Sequence, residues 1–331
     1  MIKGMAGRVL GVTCVAIAVL GWLVETRSPF SFAALLPVIP IGSQGDMALA
    51  GAGIVGEQPA ATTQHVTYET LNLPHSLVHI VRIAPEAAVV IRPAVDLDGL
   101  DKVAVVAQRE GAIAAINGGF FDPNNQQTVS SVTIAGTLVL DPAQNQDLMN
   151  NPNVTTYLPR ILNRAEFRRY QCTMAEELVI RYAVAVRRQL IPTGCNLTDA
   201  LGAGPALLPI FGGETEAFLD PATNRDALGA ARPNARSGLG ITADGTVVLV
   251  MAAQRPTVGD DPQPTGVSLL ELAQIMKDLG VEQGMNLDGG SSSSLYYNGT
   301  THYGRLDAEG NEIRRSVKSI LVVTPLANTS D

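Results

Sequence analysis

The sequence predicts an α+β fold: a single domain with a mixed β-sheet flanked by helices, preceded by an N-terminal hydrophobic helix and a linker. Short alternating or fully apolar stretches, typical of strands, recur between residues 76 and 323. Two stretches have helical spacing, but helices and strands do not alternate as regular βαβ units. With 331 residues, 46% hydrophobic and 16% charged, the chain is no disordered polyelectrolyte and can bury a sizeable core.

The N-terminus is typical of a membrane-targeting segment. Lys3 and Arg8 precede an apolar run over residues 9–24, and the run is intermediate in length between a signal-peptide core and a full membrane span. Since no small-x-small cleavage site follows directly, residues 1–27 are predicted to be an uncleaved signal anchor rather than a cleaved signal peptide. The basic end would stay inside, and the domain would be periplasmic or extracellular. A buried helix is the alternative.

Residues 28–63 are rich in Ala, Gly, Pro and Ser and sparse in charge, which indicates a linker. The folded domain is predicted over residues 64–326, followed by a short tail at 327–331.

The first half of the domain is predicted to contain four strand or hairpin signals and one helix. Strands are expected at residues 76–83 and 87–91, and a short buried strand at 112–116. Residues 100–110 have helical spacing and end at Gly111. A hairpin is expected over 131–140.

Residues 141–235 are predicted to be a less typical insertion in the same domain, with strands near 167–171 and 178–186. Cys14 lies in the apolar run and is expected to be inert. Cys172 and Cys195 lie in the exported part, where a disulfide is favoured over two free thiols. Because neither has a nearby His, a zinc site is disfavoured.

The last third of the domain has the clearest signals. Strands at 238–242 and 246–251 flank an Ala-Asp-Gly turn. The helix predicted over 268–279 starts with the capping box of Ser268 and Glu271 and stops at Gly280. Short strands follow at 285–288 and 317–323.

Two loops of similar composition are the candidate site. Residues 117–122 read NGGFFD and residues 286–294 read NLDGGSSSS, so each combines an amide, a carboxylate and paired glycines. Glycine pairs allow close backbone approach, and successive N–H groups can form an anion nest. Asp288 would then act on a proton or a sugar hydroxyl. The alternative is an ordinary glycine turn with Asx hydrogen bonds.

Arg232 and Arg236 lie between these loops, and guanidinium groups bind phosphate through two parallel hydrogen bonds. Both are predicted to bind phosphate; the alternative is a solvated surface position.

A serine nucleophile is disfavoured although four serines follow Gly290. The G-x-S-x-G pattern is absent, and the four histidines lie in the linker margin, in early strands and in a late loop. The serines are expected to supply hydroxyl and N–H contacts.

The net charge and the available metal-ligating residues limit which partners and cofactors the chain is expected to bind. A net charge of −8 argues against nucleic-acid binding, which depends on neutralising phosphates. No cofactor is expected. Asp288, Asp122 and carbonyl groups leave a hard divalent cation open, but no EF-hand or His-rich spacing supports one.

Six segments, in this order, resemble the phosphodiester glycosidase family, which includes bacterial exopolysaccharide-associated proteins. They are INGGFFD (116–122), GAGPALL (202–208), NARSGLGITADG (234–245), GVSLLELAQIMKDLG (266–280), MNLDGGSSSSL (285–295) and RSVKSILVV (315–323). Together with the strands between them they cover about 78–324. The chain departs from the family's usual pattern at Ser291, where a third glycine is common, and at Ser237, where Thr is common.

The resemblance implies hydrolysis of a sugar-1-phosphodiester, on a glycan or exopolysaccharide, to free sugar and a phosphomonoester. Asp288 would be the catalytic base or nucleophile, with Asp122 the second choice. The residues implied to bind substrate are Asn117, Gly118, Gly119, Arg232, Arg236, Asn286, Gly289, Gly290, Ser291 and Ser292. The alternatives are a non-catalytic glycan-binding or envelope-assembly protein, and hydrolysis of another ester or glycosidic bond. The sequence leaves the oligomeric state open.

Overall fold

The structure, a computed structural model, describes residues 65–256 and 265–326. The predicted N-terminal helix, the linker and the tail lie outside the described residues. Within them are eighteen strands and four α-helices. The strands are β1 (Val66–Asn72), β2 (Ser76–Ile83), β3 (Val89–Val95), β4 (Ala114–Asn117), β5 (Val132–Ile134), β6 (Thr137–Leu140), β7 (Ala165–Met174), β8 (Glu177–Val186), β9 (Cys195–Gly202), β10 (Ala206–Leu208), β11 (Leu219–Asp220), β12 (Arg225–Asp226), β13 (Arg236–Thr242), β14 (Val247–Gln254), β15 (Val281–Asn286), β16 (Ser294–Tyr297), β17 (Thr300–Tyr303) and β18 (Ser319–Pro325). The helices are α1 (Val103–Arg109), α2 (Gln146–Met149), α3 (Leu158–Ile161) and α4 (Leu269–Asp278).

Three sheets make up most of the domain. The first has the strand order β1-β2-β14-β13-β15-β10, the second β17-β16-β4-β18-β3, and the third β6-β5-β9-β7-β8. A small ribbon of β11 and β12 completes the set.

The predicted single mixed sheet is wrong, because every strand pair in the described residues is antiparallel. The pairing of β13 shows the reason. Both β14 and β15 pair with β13 in antiparallel register. The crossover through α4 therefore joins two strands that run the same way but never touch, and no parallel pair results.

Apolar side chains from all three sheets meet in one core. Ile116 from the second sheet, Leu249 from the first and Leu201 from the third are all fully buried in it. The two longer helices cover the outer faces: α4 packs on the first sheet and α1 on the second. Burying one Leu or Met of α4 contributes about 1.5–3 kcal/mol, so the predicted apolar face explains the placing of this helix.

The capping box of α4 is confirmed. The Ser268 hydroxyl accepts from the Glu271 amide at 3.1 Å, and the Glu271 carboxylate accepts from the Ser268 amide at 2.7 Å. Gly280 ends the helix with φ +86°. Glu271 thus has a structural role.

Other predictions are confirmed with shifted bounds. The helix predicted over 100–110 is α1, and the hairpin predicted over 131–140 is β5 and β6, with Ala135 and Gly136 at positive φ. The predicted disulfide is present: Cys172 of β7 and Cys195 of β9 are bonded and lie directly opposite each other. Seven strands were not predicted. In β1, β9, β16 and β17 polar residues obscure the alternation, and β10, β11 and β12 are only two or three residues long.

Several strands of different sheets begin or end at one edge of the domain. β4 of the second sheet ends at Asn117, where β18 and β16 begin beside it. In the first sheet, β15 ends at Asn286 opposite the start of β13. Both predicted loops leave the fold at this edge.

Candidate active site

The two loops predicted to form the site are joined by direct hydrogen bonds. The Asp288 amide donates to the Gly118 carbonyl at 3.0 Å, and the Asn117 side-chain amide donates to the Asp288 carbonyl at 2.7 Å. Since one loop follows a strand of the second sheet and the other a strand of the first, the site lies where these sheets meet.

Asn117 has a different role from the one predicted for it. Its side chain is fully buried, and Oδ1 accepts from the Ser237 hydroxyl at 2.7 Å and from the Ser294 amide at 3.1 Å. With the bond to Asp288, the side chain has three protein partners. Asn117 therefore fixes the position of the Asp288 backbone rather than facing a ligand.

Asn286 is also buried, with 1% of its surface exposed. Its Nδ2 donates to the Gly204 carbonyl at 2.9 Å, which ties the end of β15 to the GAGP segment. Its Oδ1 is buried and has no hydrogen-bond partner among the described residues. Asn286 is thus a positioning residue whose Oδ1 atom accepts no hydrogen bond from the described residues.

Asp288 is half-buried at the turn after β15, and Oδ1 accepts from the Gly289 amide at 3.0 Å. Burial raises the pKa of Asp288 to about 6, although the Gly289 amide and the charge of Arg315 act to lower it. A carboxyl with this pKa exists in both forms near neutral pH. It can therefore take up or release a proton during a reaction.

Arg315 supplies a cation at the site that the sequence analysis did not single out. Its Nη1 donates to the Ser291 hydroxyl at 2.8 Å, and its guanidinium lies 5.0 Å from the centre of the Phe121 ring. The side chain is half-exposed. The signal was available, because Arg315 opens the last of the six matching segments.

Arg236 is held differently from the prediction. It is 3% exposed, and burial lowers its pKa. Its guanidinium donates to four backbone carbonyls, those of Leu228, Gly229, Arg232 and Val267, at 2.8–3.3 Å. The Arg236 guanidinium thus organises the turn before β13, and Arg232 lies exposed on that turn. The geometry does not bring these two arginines together as a phosphate clamp.

The predicted anion nest is also corrected. The amides of Gly118 and Gly119 donate to Ser319, at 2.8 Å to its carbonyl and 3.0 Å to its hydroxyl. The Gly290 amide donates to the Ala235 carbonyl at 2.8 Å, and the Gly289 amide to Asp288. These N–H groups hold the loops together, so they are not free for an anion.

The glycines are nevertheless required. A Cβ at Gly119 would overlap the Gly202 carbonyl of the third sheet. Gly290 has φ +59°, which favours glycine. Close packing, within the second sheet for Gly118 and against the third sheet for Gly119, rather than ligand approach, explains these two glycines.

Asp122 lies half-buried beside the site. Its Oδ1 accepts from the Asn124 amide at 2.8 Å, which is the Asx turn that the sequence left as an alternative. It follows Phe121, the ring beneath Arg315, and so lies at the rim.

Two serine hydroxyls of this loop have partners: Ser291 accepts from Arg315, and Ser294 donates to the Ser292 carbonyl at 3.0 Å. Ser292 and Ser293 are buried, and their hydroxyls have no partner in the described part of the chain. No serine in the described residues bonds a histidine: His79 and His302 both contact the Tyr68 hydroxyl instead, at 2.7 and 3.2 Å.

The described residues contain no cluster of three or more His, Cys, Asp or Glu that could hold a metal ion. Nor do they include a helix long and apolar enough to span a membrane.

Known proteins resemble this chain in sequence profile and in fold. The profile of the family described as "Phosphodiester glycosidase" matches residues 110–324. The catalytic domain of zebrafish N-acetylglucosamine-1-phosphodiester α-N-acetylglucosaminidase, auto-inhibited by its pro-peptide, has a similar fold, with TM-score 0.56 and 15% identity over 78% of this chain and 82% of that one. A hypothetical protein from Synechocystis is similar at TM-score 0.51 and 18% identity, over 78% of this chain and 61% of that one. No curated protein sequence shows a significant match.

Proposed function

The chain belongs to the phosphodiester glycosidase family, because the family profile matches well over half of it, and on this premise we propose that it hydrolyses a sugar-1-phosphodiester to a free sugar and a phosphomonoester. The observation that carries the proposal is the pairing at one edge of Asp288, a carboxyl with a pKa of about 6, with Arg315, a half-exposed cation on Ser291. One group can move a proton and the other can hold a phosphate.

In this proposal the bond that breaks joins C1 of the sugar to the phosphate oxygen. Water adds to C1, its proton goes to the Asp288 carboxylate, and the phosphomonoester leaves with the electron pair of the broken bond. A phosphomonoester is a far weaker base than an alkoxide, so little help from a general acid is needed. Arg315 would neutralise the charge that develops on the leaving phosphate. Asp122, at the rim, is the second carboxylate.

Asn117 and Asn286 take positioning roles. Each binds backbone next to the reacting loop, and both side chains are almost wholly buried. A site that holds its carboxylate through fixed neighbours loses little energy to reorganisation during reaction.

The test is release of free sugar from an N-acetylglucosamine-1-phosphodiester. We expect Asp288→Asn to lower kcat about 100- to 10,000-fold, the usual range for loss of a general base, and Arg315→Ala to lower kcat/KM about 100-fold or more. Asp278→Asn, an exposed carboxylate on α4, and Arg188→Ala, an exposed arginine, are the matched controls.

Equal activity in Asp288→Asn and wild type would overturn the assignment of this site. No turnover by folded wild type on a panel of sugar-1-phosphodiesters, together with measurable glycan binding, would favour a non-catalytic glycan-binding or envelope-assembly role.

We further propose that the domain works outside the cytoplasm, anchored through residues 1–27. The basic residues ahead of the apolar run and the Cys172–Cys195 disulfide support this, since disulfides persist in oxidising compartments. Membrane fractionation of the full chain, followed by protease treatment of intact cells, is the test. Protein found in the soluble cytoplasmic fraction would contradict the proposal.

A further inference from the structure

Three arginines lie together beside the candidate site and take no part in it. They are Arg160 of α3, Arg164 just before β7, and Arg225 of β12, and all are half-buried. Each donates one hydrogen bond to a carbonyl of the same short turn, which orients its guanidinium. The acceptors are the carbonyl oxygens of Glu214, Glu216 and Ala217, at 2.9, 3.1 and 3.0 Å.

Aromatic rings support the same three side chains. The Tyr157 ring contacts two of them: its centre lies 5.1 Å from the guanidinium carbon of Arg160 and 4.7 Å from that of Arg225. The guanidinium of Arg164 lies 3.7 Å from the centre of the Phe218 ring and 6.0 Å from that of Phe120. Stacking holds a guanidinium by its face and leaves its N–H edge available.

The positive charge of this group is not balanced by ion pairs. Among the described residues, none of the three guanidinium groups has a carboxylate oxygen within 4.0 Å. Two acids nearby have other partners: Glu216 is buried and accepts from the amides of Ala165 and Ala206, and Asp220 accepts from the Tyr157 hydroxyl at 2.7 Å. Burial, with a smaller contribution from the charge of Arg225, lowers the pKa of Arg164 to about 9, while Glu216 opposes the shift. Unpaired cations held together in a chain of net charge −8 favour an anionic ligand.

Phe120 connects this group to the candidate site. It belongs to the 117–122 loop, and its amide donates to the Ser130 hydroxyl at 2.9 Å. Its ring lies 5.6 Å from that of Phe218. On the far side, Tyr157 and Arg225 line an open cavity of about 520 Å³. A chain-like ligand with one end at Asp288 could therefore continue past Phe120 onto the arginines.

We propose that Arg160, Arg164 and Arg225 form a second phosphate-binding site, and that the substrate is a polyanionic glycan whose sugars are joined by repeated phosphodiesters. One phosphodiester would lie at Arg315 for cleavage and a neighbouring one on the second site. The inference rests on the proposed function and specifies its substrate class. Binding at two linked positions raises the effective concentration of the glycan at the candidate active site.

A sugar-phosphate chain fits this site better than a single-stranded nucleic acid. Nucleic-acid binders of this kind rely on open aromatic faces for base stacking. Here two guanidinium groups lie over the Tyr157 ring, and Tyr157 and Phe218 are only 7% and 2% exposed. The arrangement offers charge without a stacking platform.

The test measures binding to the full chain carrying Asp288→Asn, so that no turnover is needed. The probes are an oligomer of four N-acetylglucosamine-1-phosphate units joined by phosphodiesters, and the matching single diester. We expect the oligomer to bind at least about tenfold more tightly than the single diester at low salt. It should lose most of this advantage at about 0.5 M salt, because salt screens interactions between exposed charges. Arg164→Gln with Arg225→Gln should remove the advantage.

The controls separate this proposal from simpler ones. Arg188→Gln, an exposed arginine elsewhere, should leave the advantage intact, and Arg225→Lys should keep part of it, since Lys retains the charge but not the fork of donors. Arg225→Gln alone serves if the double variant unfolds.

Three results would overturn the proposal: an oligomer advantage that survives in the glutamine variants, equal loss of binding for oligomer and single diester, or equally tight binding of an oligonucleotide. Because binding is measured without catalysis, failure of the hydrolase assay in wild type would leave this test intact.

Discussion

At the scale of single residues, two arginines near the candidate site have opposite environments. Arg236 donates to four carbonyls inside the fold, whereas Arg315 is half-exposed over Phe121 beside Ser291. The first stabilises a turn, and the second is the cation that the proposed function assigns to the phosphate. Charge in a motif therefore does not by itself identify a phosphate-binding residue.

Conservative substitution separates these roles. Arg236→Lys leaves buried carbonyls without donors, and each unsatisfied group costs about 1–3 kcal/mol; we expect a loss of roughly 2–4 kcal/mol in the free energy of unfolding. Arg315→Lys should change stability by less than about 1 kcal/mol yet lower kcat/KM, because Lys cannot form the planar fork. Denaturant unfolding and steady-state kinetics on both variants check this, and a selective kinetic defect in Arg236→Lys would contradict it.

The pH dependence of catalysis follows from Asp288. In the role of base proposed above, Asp288 would work only when ionised, and its pKa is about 6. We therefore expect kcat/KM to rise with pH through about 6 and to level off above it. A profile that falls above pH 6 would show that Asp288 acts as an acid instead. In Asp288→Asn the residual activity should lose this inflection.

The two loops that the structure joins were predictable because composition alone marks them. Two strand ends each followed by an amide, paired glycines and a carboxylate are rare enough to be noticed. The roles of Asn117 and Arg236 were not predictable. Both side chains are buried by strands that are far apart in the sequence, so their hydrogen-bond partners are known only from the fold. Arg315 was overlooked for a similar reason: it follows Arg314 in a polar loop, and only the fold places it on Ser291.

At the scale of elements, the β7–β8 hairpin and β9 are cross-linked by Cys172 and Cys195, which are 23 residues apart. Closing a loop of this size restricts the unfolded chain and typically contributes about 2–4 kcal/mol. We expect Cys172→Ala with Cys195→Ala to lower the unfolding free energy by that amount. Wild type in reductant should match the variant.

The bonded pair lies in the third sheet, away from Asp288. Turnover by the double variant, assayed well below its unfolding temperature, should therefore stay within about twofold of wild type. An unchanged unfolding midpoint in the variant would show that the cross-link does not limit stability.

Element types were predictable where one face is apolar. The helix α4 and strands β2, β13 and β14 follow from local periodicity and capping. The antiparallel arrangement was not predictable, because β15 pairs with β13 only after a helix has carried the chain past it. Strands such as β16 and β17, rich in Ser, Thr and Tyr, gave no alternation to detect.

At the scale of the whole molecule, a cluster of rings ties the first sheet to the second. Tyr68 of β1 and His79 of β2 contact His302 of β17, and the two imidazoles stack 4.2 Å apart. The ring of Tyr297 stacks on Tyr68. Burial, with the charge of His302, lowers the pKa of His79 to about 4.

The sign of the resulting pH effect is set by proton uptake. Between about pH 6.5 and about pH 4, His79 binds a proton in the unfolded chain but not in the folded chain. The free energy of unfolding therefore falls as pH falls through this range. At about 1.4 kcal/mol per pKa unit, the loss reaches up to about 3 kcal/mol.

We expect His79→Gln to flatten this part of the stability curve, measured by denaturant unfolding at several pH values. His65→Gln, at an exposed position, is the control and should leave the curve unchanged. A variant curve as steep as that of wild type would contradict the assignment to His79.

The hydrogen bonds that hold the Asp288 loop have a consequence for how the protein is made. Asn117 comes from one sheet, its partners Ser237 and Asp288 from another, and Gly119 packs against the third. No part of the chain contains the site by itself. The site is therefore complete only once all three sheets have docked, and on the function proposed above a partly assembled copy would be inactive.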